Sequence, residues 1–358
     1  MPKTFTDVDA ICIDRFIYSQ FILYKTLKTI TKPLTTNTNP PIINVFIDLY
    51  SMITPLYSFY KFENPIALTS ALINAGIHYR NYFKKFNIYT NIFLIYSPNM
   101  SSNNLKFCPE YNLSNINKMF ANYETKQVVD QNLSLLSTVI PYVPDIYLRL
   151  GTVEPSIIIL DCIRTFESRG FVTKNLVISS SPISFQIPVI NPNTVVYTKR
   201  RNGDVLVTDS MNPLIQALSY TKNQMITNLD LPPEYLSAFY TLCGLNRLNV
   251  NSLVYYSTAI EILRYMKDCS VIMGPDTLCE AYITHYQSKK KKIEKLNEIV
   301  SKIHNRFRCF DFRHQLMMYD NLAESKETSY LTQLQNWEEL LHINKLYFKD
   351  NPILLDKL

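Results

Sequence analysis

The run IINVFIDLYSMI, Ile42 to Ile53, is apolar almost throughout and meets its first charge at Asp48. A strand with one wet face alternates apolar and polar residues, whereas a strand buried on both faces reads as an unbroken apolar run. Such strands belong to parallel sheets covered by helices. Helical spacing follows over Asn64 to Phe86, a strand over Asn91 to Tyr96, and more helices to Tyr142. A helix from Glu154 to Gly170 and a strand over Leu176 to Ser180 come next. Strand alternating with helix predicts an α/β fold, a three-layer core around a central, mainly parallel sheet. In NTVVYTKRRNGDVLVTDS, Asn193 to Ser210, the pair Asn202-Gly203 separates two β-rich runs and predicts a hairpin.

Asp7 to Lys32 has helical spacing and gives way to TKPLTTNTNPP, Thr31 to Pro41, a polar, proline-bearing stretch. The expected organisation is an N-terminal helical arm and linker over 1–41, an α/β domain over 42–230, and a helical region over 231–358. A chain of 358 residues, 47% hydrophobic and 18% charged, has enough apolar side chains to fold around a sizeable core. No apolar run approaches the ~18 uncharged residues of a bilayer span, and Met1 to Ala10 holds two acids. A soluble, intracellular protein without a membrane partner is expected.

Seven cysteines form no CxxC pair, and five histidines are dispersed, so neither a zinc ribbon nor a disulfide framework is indicated. The thiols are expected to be reduced and buried. Six glycines are too few and too scattered for a phosphate-cradling GxGxxG or GxxxxGKS loop. Asn, Ile, Tyr and Lys are abundant, the bias of an AT-rich genome such as that of a phage or large DNA virus.

Four ordered stretches resemble the 5′-nuclease superfamily, the flap endonucleases and phage 5′-to-3′ exonucleases with a PIN-like core. VFIDLYSMI resembles the family's first strand, with Asp48 where its first metal-binding aspartate stands. FLIYSPNMSSNNLKFCPEYN, Phe93 to Asn112, resembles the second strand and its phosphate-contacting arch. VEPSIIILDCIRTFESRGFVTKNLVISSSPISFQI, Val153 to Ile187, resembles the helix that opens with a glutamate and runs into a strand ending in Ser-x-Asp-x-Asp. YLSAFYTLCGLNRLNVNSLVYYSTAIEILRYM, Tyr235 to Met266, resembles the helix-hairpin-helix that grips duplex DNA, with Ser257-Thr258-Ala259 echoing Lys-Thr-Ala. The resemblance implies a PIN-like core followed by a helix-hairpin-helix-like segment and C-terminal helices.

It also shows what is missing. The family aspartate after the second strand falls at Tyr96, and of the acids opening the long helix only Glu154 remains, its successors falling at Ser156 and Ile157. The next pair falls at Ser181 and Ile183, and the hairpin aspartates at or near Leu245 and Leu248. In the arch Pro109-Glu110-Tyr111 is kept, but Asn112 and Asn115 replace basic residues. Two-metal phosphodiester cleavage needs two Mg²⁺ about 3.5–4 Å apart, held by several converging carboxylates. Asp48 and Glu154, the vestigial pair, bring two negative charges against four positive ones. Asp161 sits seven residues beyond Glu154, ~10 Å along a helix, too far to share an ion. No metal and no cofactor are expected, and Mg²⁺ enters only if other ligands have taken over.

YQSKKKKIEKLNEIVSKIHNRFR, Tyr286 to Arg308, carries a surplus of six positive charges, equal to the formal net charge of the whole chain. Ile293, Leu296, Val300, Ile303 and Phe307 make one helical face apolar. Lys289, Lys290, Lys291, Lys292, Lys295, Lys302 and Arg306 are the candidate phosphate contacts, and a solvated lysine-rich surface is the plainer reading. Around Trp337, Leu340, Leu341, Ile343 and Leu346 predict a terminal helix that caps the core or docks on a partner.

Three functions follow. The first is an inactive 5′-nuclease relative that binds DNA or scaffolds a replication, transcription or virion complex of a phage or large virus. The second is an active Mg²⁺-dependent flap or 5′-to-3′ nuclease with relocated ligands. The third is a protein-interaction module that binds no nucleic acid.

Overall fold

The computed structural model describes residues 42–53, 65–97, 108–110, 123–151, 153–170, 174–198, 205–207, 214, 217, 230–245, 250–287, 293–323, 337–350 and 352–355. The expected arm and linker, the arch residues Tyr111 to Asn115, and the Asn202-Gly203 turn lie outside them.

Strand β1 (Ile42–Asp48) is buried from its second residue onward and pairs in parallel on both sides, with β2 (Tyr89–Tyr96) and β4 (Lys174–Ile178). It is the central strand that its unbroken apolar run predicts. β3 (Ile146–Leu150) extends the sheet beyond β2, and β5 (Thr194–Thr198) beyond β4, both in parallel. β6 (Val205–Val207) closes the edge antiparallel to β5, with Val196 opposite Val207, as a hairpin requires. The order is β3-β2-β1-β4-β5-β6, a five-stranded parallel sheet with one antiparallel edge.

Side chains alternate across the sheet. Ile43, Val45 and Ile47 of β1 face one core, shared with α1 (Pro65–Lys84) and α2 (Tyr123–Val139). Phe46 faces the other, shared with α3 (Pro155–Ser168). A buried amide ladder crosses four strands at the amino end: Asn91 donates to Asn44, Asn44 to Asn175, and Asn175 to Thr194. Their register partners are adjacent, so the ladder fixes the stagger of the sheet.

The second core continues into the helical region: α4 (Leu236–Cys243), α5 (Tyr256–Asp268), α6 (Pro275–Gln287), α7 (Ile293–Phe310) and α8 (Phe312–Ala323). α4 ends at Gly244, whose φ of 64° is left-handed and where a Cβ would stand 2.2 Å from the Val250 carbonyl oxygen. Only glycine fits, and an antiparallel bridge of Leu245 with Val250 follows. The last helix, α9 (Trp337–Tyr347), caps the α1 side of the sheet through Leu340 and Ile343. Asn74 of α1 then holds the chain end, donating to the Pro352 carbonyl and accepting from the Leu354 amide.

β3 has no counterpart in the sequence reading, which places no element between Tyr142 and Glu154. Its interior carries Arg149, 3% exposed, a residue that argues against a strand until its partner is known. That partner is Asp161 of α3, at 3.3 Å. No helix among the described residues is long and apolar enough to cross a membrane.

Candidate functional site at the carboxyl edge of the sheet

Asp48 ends β1 and lies, by strand alternation, on the same face as Phe46 and Asn44. Residues 49–53 turn into a helix, and Asp48 caps it: Oδ1 accepts the Tyr50 amide at 3.1 Å. Oδ2 accepts the Ser51 hydroxyl at 3.1 Å and the Ser179 hydroxyl at 2.9 Å. The serine turn after β4 completes the knot. Ser180 donates its amide to Ser51 Oγ at 2.6 Å, their hydroxyls meet at 2.9 Å, and Ser181 donates its amide to Ser179 Oγ at 3.1 Å.

Asp48 is 5% exposed. Three donors converge on it where a metal centre would need further acceptors. A metal-binding carboxylate keeps its oxygen lone pairs for the ion, and here they receive hydrogens. Sequence reasoning missed Ser51 and Ser179 as its partners, although the Asp-x-x-Ser spacing at a strand-to-helix turn carries a capping signal.

The described residues beyond the serine turn are packed into the core. Ile183 and Phe185, beyond the turn, are fully buried in the core that joins the sheet to the C-terminal helices. Pro182 gives its carbonyl to the Tyr240 hydroxyl at 2.7 Å, and Gln186 donates to the Phe310 carbonyl at 2.7 Å. The positions aligned with a ligand pair, Ser181 and Ile183, therefore fill space between β4 and the helical region. Tyr96 stacks at 5.1 Å, tilted, against Tyr50, whose hydroxyl donates to the Ser97 carbonyl at 2.5 Å. Burial pushes the Tyr96 phenol up to about 12. Burial also drives Tyr50 higher still, helped by Tyr96 and by the charges of Asp48 and Glu154. Both phenols stay neutral and add no negative charge for a cation.

Glu154 precedes α3, 4% exposed, its carbonyl accepting the amides of Ile157 and Ile158. Its charge, like that of Asp48, helps to raise the Tyr50 phenol. Asp161 faces Arg149 instead. Among the described residues no group of three or more His, Cys, Asp or Glu side chains is arranged to hold a metal ion.

The basic segment divides. Lys289 to Lys292 and the side chain of Lys295 lie outside the described residues. Lys302 is exposed on α7 and meets Glu298 one turn away at 2.7 Å. Arg306, expected on the basic face, is 3% exposed: its guanidinium pairs with Glu110 and donates to the Asn251 carbonyl at 2.6 Å. It follows Ile303 by three residues and precedes Phe310 by four, so helical geometry sets it on the apolar stripe. In this conformation it joins α7 to Glu110 and to the α4–α5 connection, and it is buried. Ser257-Thr258-Ala259 lie in the first turn of α5, with Ala259 fully buried.

Neither a protein-family model nor a curated protein sequence matches the chain. In three dimensions it is similar to the phage T5 D15 protein co-crystallized with metal ions, with a TM-score of 0.51 at 12% identity over 84% of this chain and 99% of the other. It is also similar to a T5 D15 flap endonuclease pseudo-enzyme–product complex with DNA and metal ions, TM-score 0.49, 11% identity, over 84% and 98% of the two chains. A T5 5′-exonuclease with bound zinc gives TM-score 0.49, 11% identity, over 86% and 98%. At such identity the likeness is one of architecture: the chain has the α/β fold of the phage T5 D15 protein, a parallel sheet followed by a helical C-terminal region.

Proposed function

We propose that the chain is a catalytically inactive 5′-nuclease-like protein of a phage or large DNA virus, acting as a DNA-binding or scaffolding subunit of a replication, transcription or virion complex. The observation that carries this reading is the Asp48 carboxylate, buried and occupied by the Tyr50 amide and the Ser51 and Ser179 hydroxyls. Removing water from two divalent cations needs a matching set of anionic oxygens. Asp48 and Glu154 supply two, and the neighbouring positions hold serine, isoleucine and neutral tyrosine. DNA contact rests on the lysine cluster at 289–292 with Lys295 and Lys302, next to the segment that resembles a helix-hairpin-helix.

Purified full-length protein incubated with labelled flap, hairpin and blunt DNA at millimolar Mg²⁺ or Mn²⁺, followed by gel shift over a salt series, tests both halves. The expected result is no cleavage, with affinity that falls steeply as salt rises. Metal-dependent cleavage abolished by Asp48→Ala would establish the relocated-ligand nuclease instead. Absence of binding at low salt, or affinity unchanged when Lys289 to Lys292 become Glu, would leave a protein-interaction module. The burial of Arg306 and the pairing of Lys302 are what speak for that last reading.

A further inference from the structure

Residues 352–355 are held between α1 and α9 as a bound peptide would be. Asn74 of α1 donates to the Pro352 carbonyl at 3.1 Å and accepts the Leu354 amide at 2.9 Å, and Ser70 donates to the same carbonyl at 3.3 Å. Asn344 of α9 accepts the Ile353 amide at 2.8 Å and donates to the Ile353 carbonyl at 3.0 Å. Alternate residues of an extended chain turn their peptide groups to opposite edges. Two asparagine amides, one from each helix, therefore read the two edges as neighbouring strands would. The side chains alternate as well: Pro352 is exposed, Ile353 buried, Leu354 half-buried and Leu355 buried. Ile353 and Leu355 are the anchors, and both enter the core on the α1 side of the sheet.

We propose that the cleft between α1 and α9 is a binding site for an extended segment with apolar residues two apart, and that its occupant in trans is the C-terminal tail of a second copy of this chain. The hydrogen bonds reach backbone atoms, so they are the same whichever molecule supplies the strand. The walls stand without the tail, because Asn74 and Ser70 belong to α1 and Leu340 and Ile343 anchor α9 in the core. An emptied cleft also demands an occupant. Asn74 is 2% exposed and Ser70 is fully buried, and loss of the tail takes from Asn74 Oδ1 its one donor among the described residues. A buried acceptor without a donor is costly, which favours recapture of an equivalent strand. Every copy of the chain carries such a strand.

The tethered tail competes with any strand offered in trans, at an effective concentration on the order of 1 mM. Exchange therefore follows withdrawal of the tail in cis, and reciprocal exchange gives a closed dimer with both clefts filled.

The test mixes two full-length variants. One carries Ile353→Asp with Leu355→Asp, so that its cleft is intact and its tail cannot seat. The other carries Asn74→Ala, so that its tail is intact and its cleft is impaired. Sedimentation is expected to show each alone as a monomer and the mixture as a heterodimer, dissolved by excess peptide NPILLDKL, the sequence of Asn351 to Leu358. The same peptide, labelled, should bind the tail variant, and about tenfold or more weakly once Asn74→Ala is added to it. A mixture that stays monomeric, or a dimer that the peptide leaves intact, overturns the proposal. Should either variant fail to fold, wild-type protein decides. NPILLDKL with a photoreactive group at the Leu354 position, at about 1 mM, should crosslink to α1 or α9, whereas a peptide with aspartate at both anchor positions should not. Crosslinks elsewhere, or none, overturn it equally. DNA affinity takes no part in the readout, so failure of the proposed function and failure of the tail site are separable.

Discussion

The Ser179 hydroxyl donates to Asp48 Oδ2 at 2.9 Å, bridging the carboxyl ends of neighbouring parallel strands β4 and β1. In a metal-dependent nuclease the two strand ends would repel through their carboxylates until cations joined them. Here a hydroxyl and a carboxylate satisfy each other. The edge of the sheet is held by hydrogen bonds that need no ion.

That relationship fixes the sign of a mutation. Asp48→Ala leaves the Tyr50 amide and the Ser51 and Ser179 hydroxyls without their acceptor, and buried donors without partners are costly. A loss of about 2–4 kcal/mol in unfolding free energy is expected from urea titration. Ser179→Ala, removing one donor of three, should cost about 1 kcal/mol. A metal site kept under mutual repulsion would respond in the opposite direction, with the metal-free Asp48→Ala protein as stable as wild type or more so.

Arg306 and Lys302 are four residues apart on α7 and should behave oppositely. Arg306→Ala breaks a buried ion pair whose Glu110 end is partly solvated, and should cost about 2–4 kcal/mol in chemical denaturation. Lys302→Ala removes an exposed pair with Glu298 and should change stability by less than about 0.5 kcal/mol. If Lys302 touches a phosphate, its removal lowers the slope of log affinity against log salt by about 1.

Gly244→Ala tests the α4 cap. The added Cβ would meet the Val250 carbonyl at 2.2 Å in a left-handed backbone, and a loss of at least ~2 kcal/mol is expected by thermal or urea unfolding. An unchanged midpoint would mean that the bridge between Leu245 and Val250 relaxes freely.

Asp311 precedes α8, where its Oδ2 accepts the His314 amide at 3.4 Å. Burial raises its carboxyl above the ordinary value, against the backbone amides of His314 and Arg313 and the nearby charges of Arg313 and His314. A raised folded value means that the folded state binds its proton more tightly than the unfolded chain does. The contribution is therefore fully present below the unfolded value near 3.8 and is lost as pH rises through the raised one. Asp311→Asn, which keeps a capping oxygen, should show a higher urea midpoint than wild type at pH 7, with the gap closing toward pH 4. A gap that widens toward pH 4 would reverse the assignment.

The central strand was legible because burial on both faces removes alternation, and the β5–β6 pair because two β-rich runs flank a turn signal. The vacant ligand positions were legible too, since serine and isoleucine cannot replace carboxylates. β3 was not, because Arg149 is tolerable in a strand only opposite Asp161, a partner twelve residues away in a different element. One donor on Asp48, the Ser179 hydroxyl, comes from the turn after β4, 131 residues downstream, beyond the reach of any local signal. Arg306 could have been placed: its spacing from Ile303 and Phe310 sets it on the apolar stripe, and its positive charge drew it into the basic set.

Anomalous diffraction from crystals equilibrated in about 10 mM Mn²⁺ asks directly whether the carboxyl edge of this sheet holds divalent ions. The expected map has no anomalous peak beside Asp48, with Ser179 Oγ still donating to its carboxylate. Two peaks about 3.5–4 Å apart against Asp48 and Glu154, with the serine knot opened, would contradict the account.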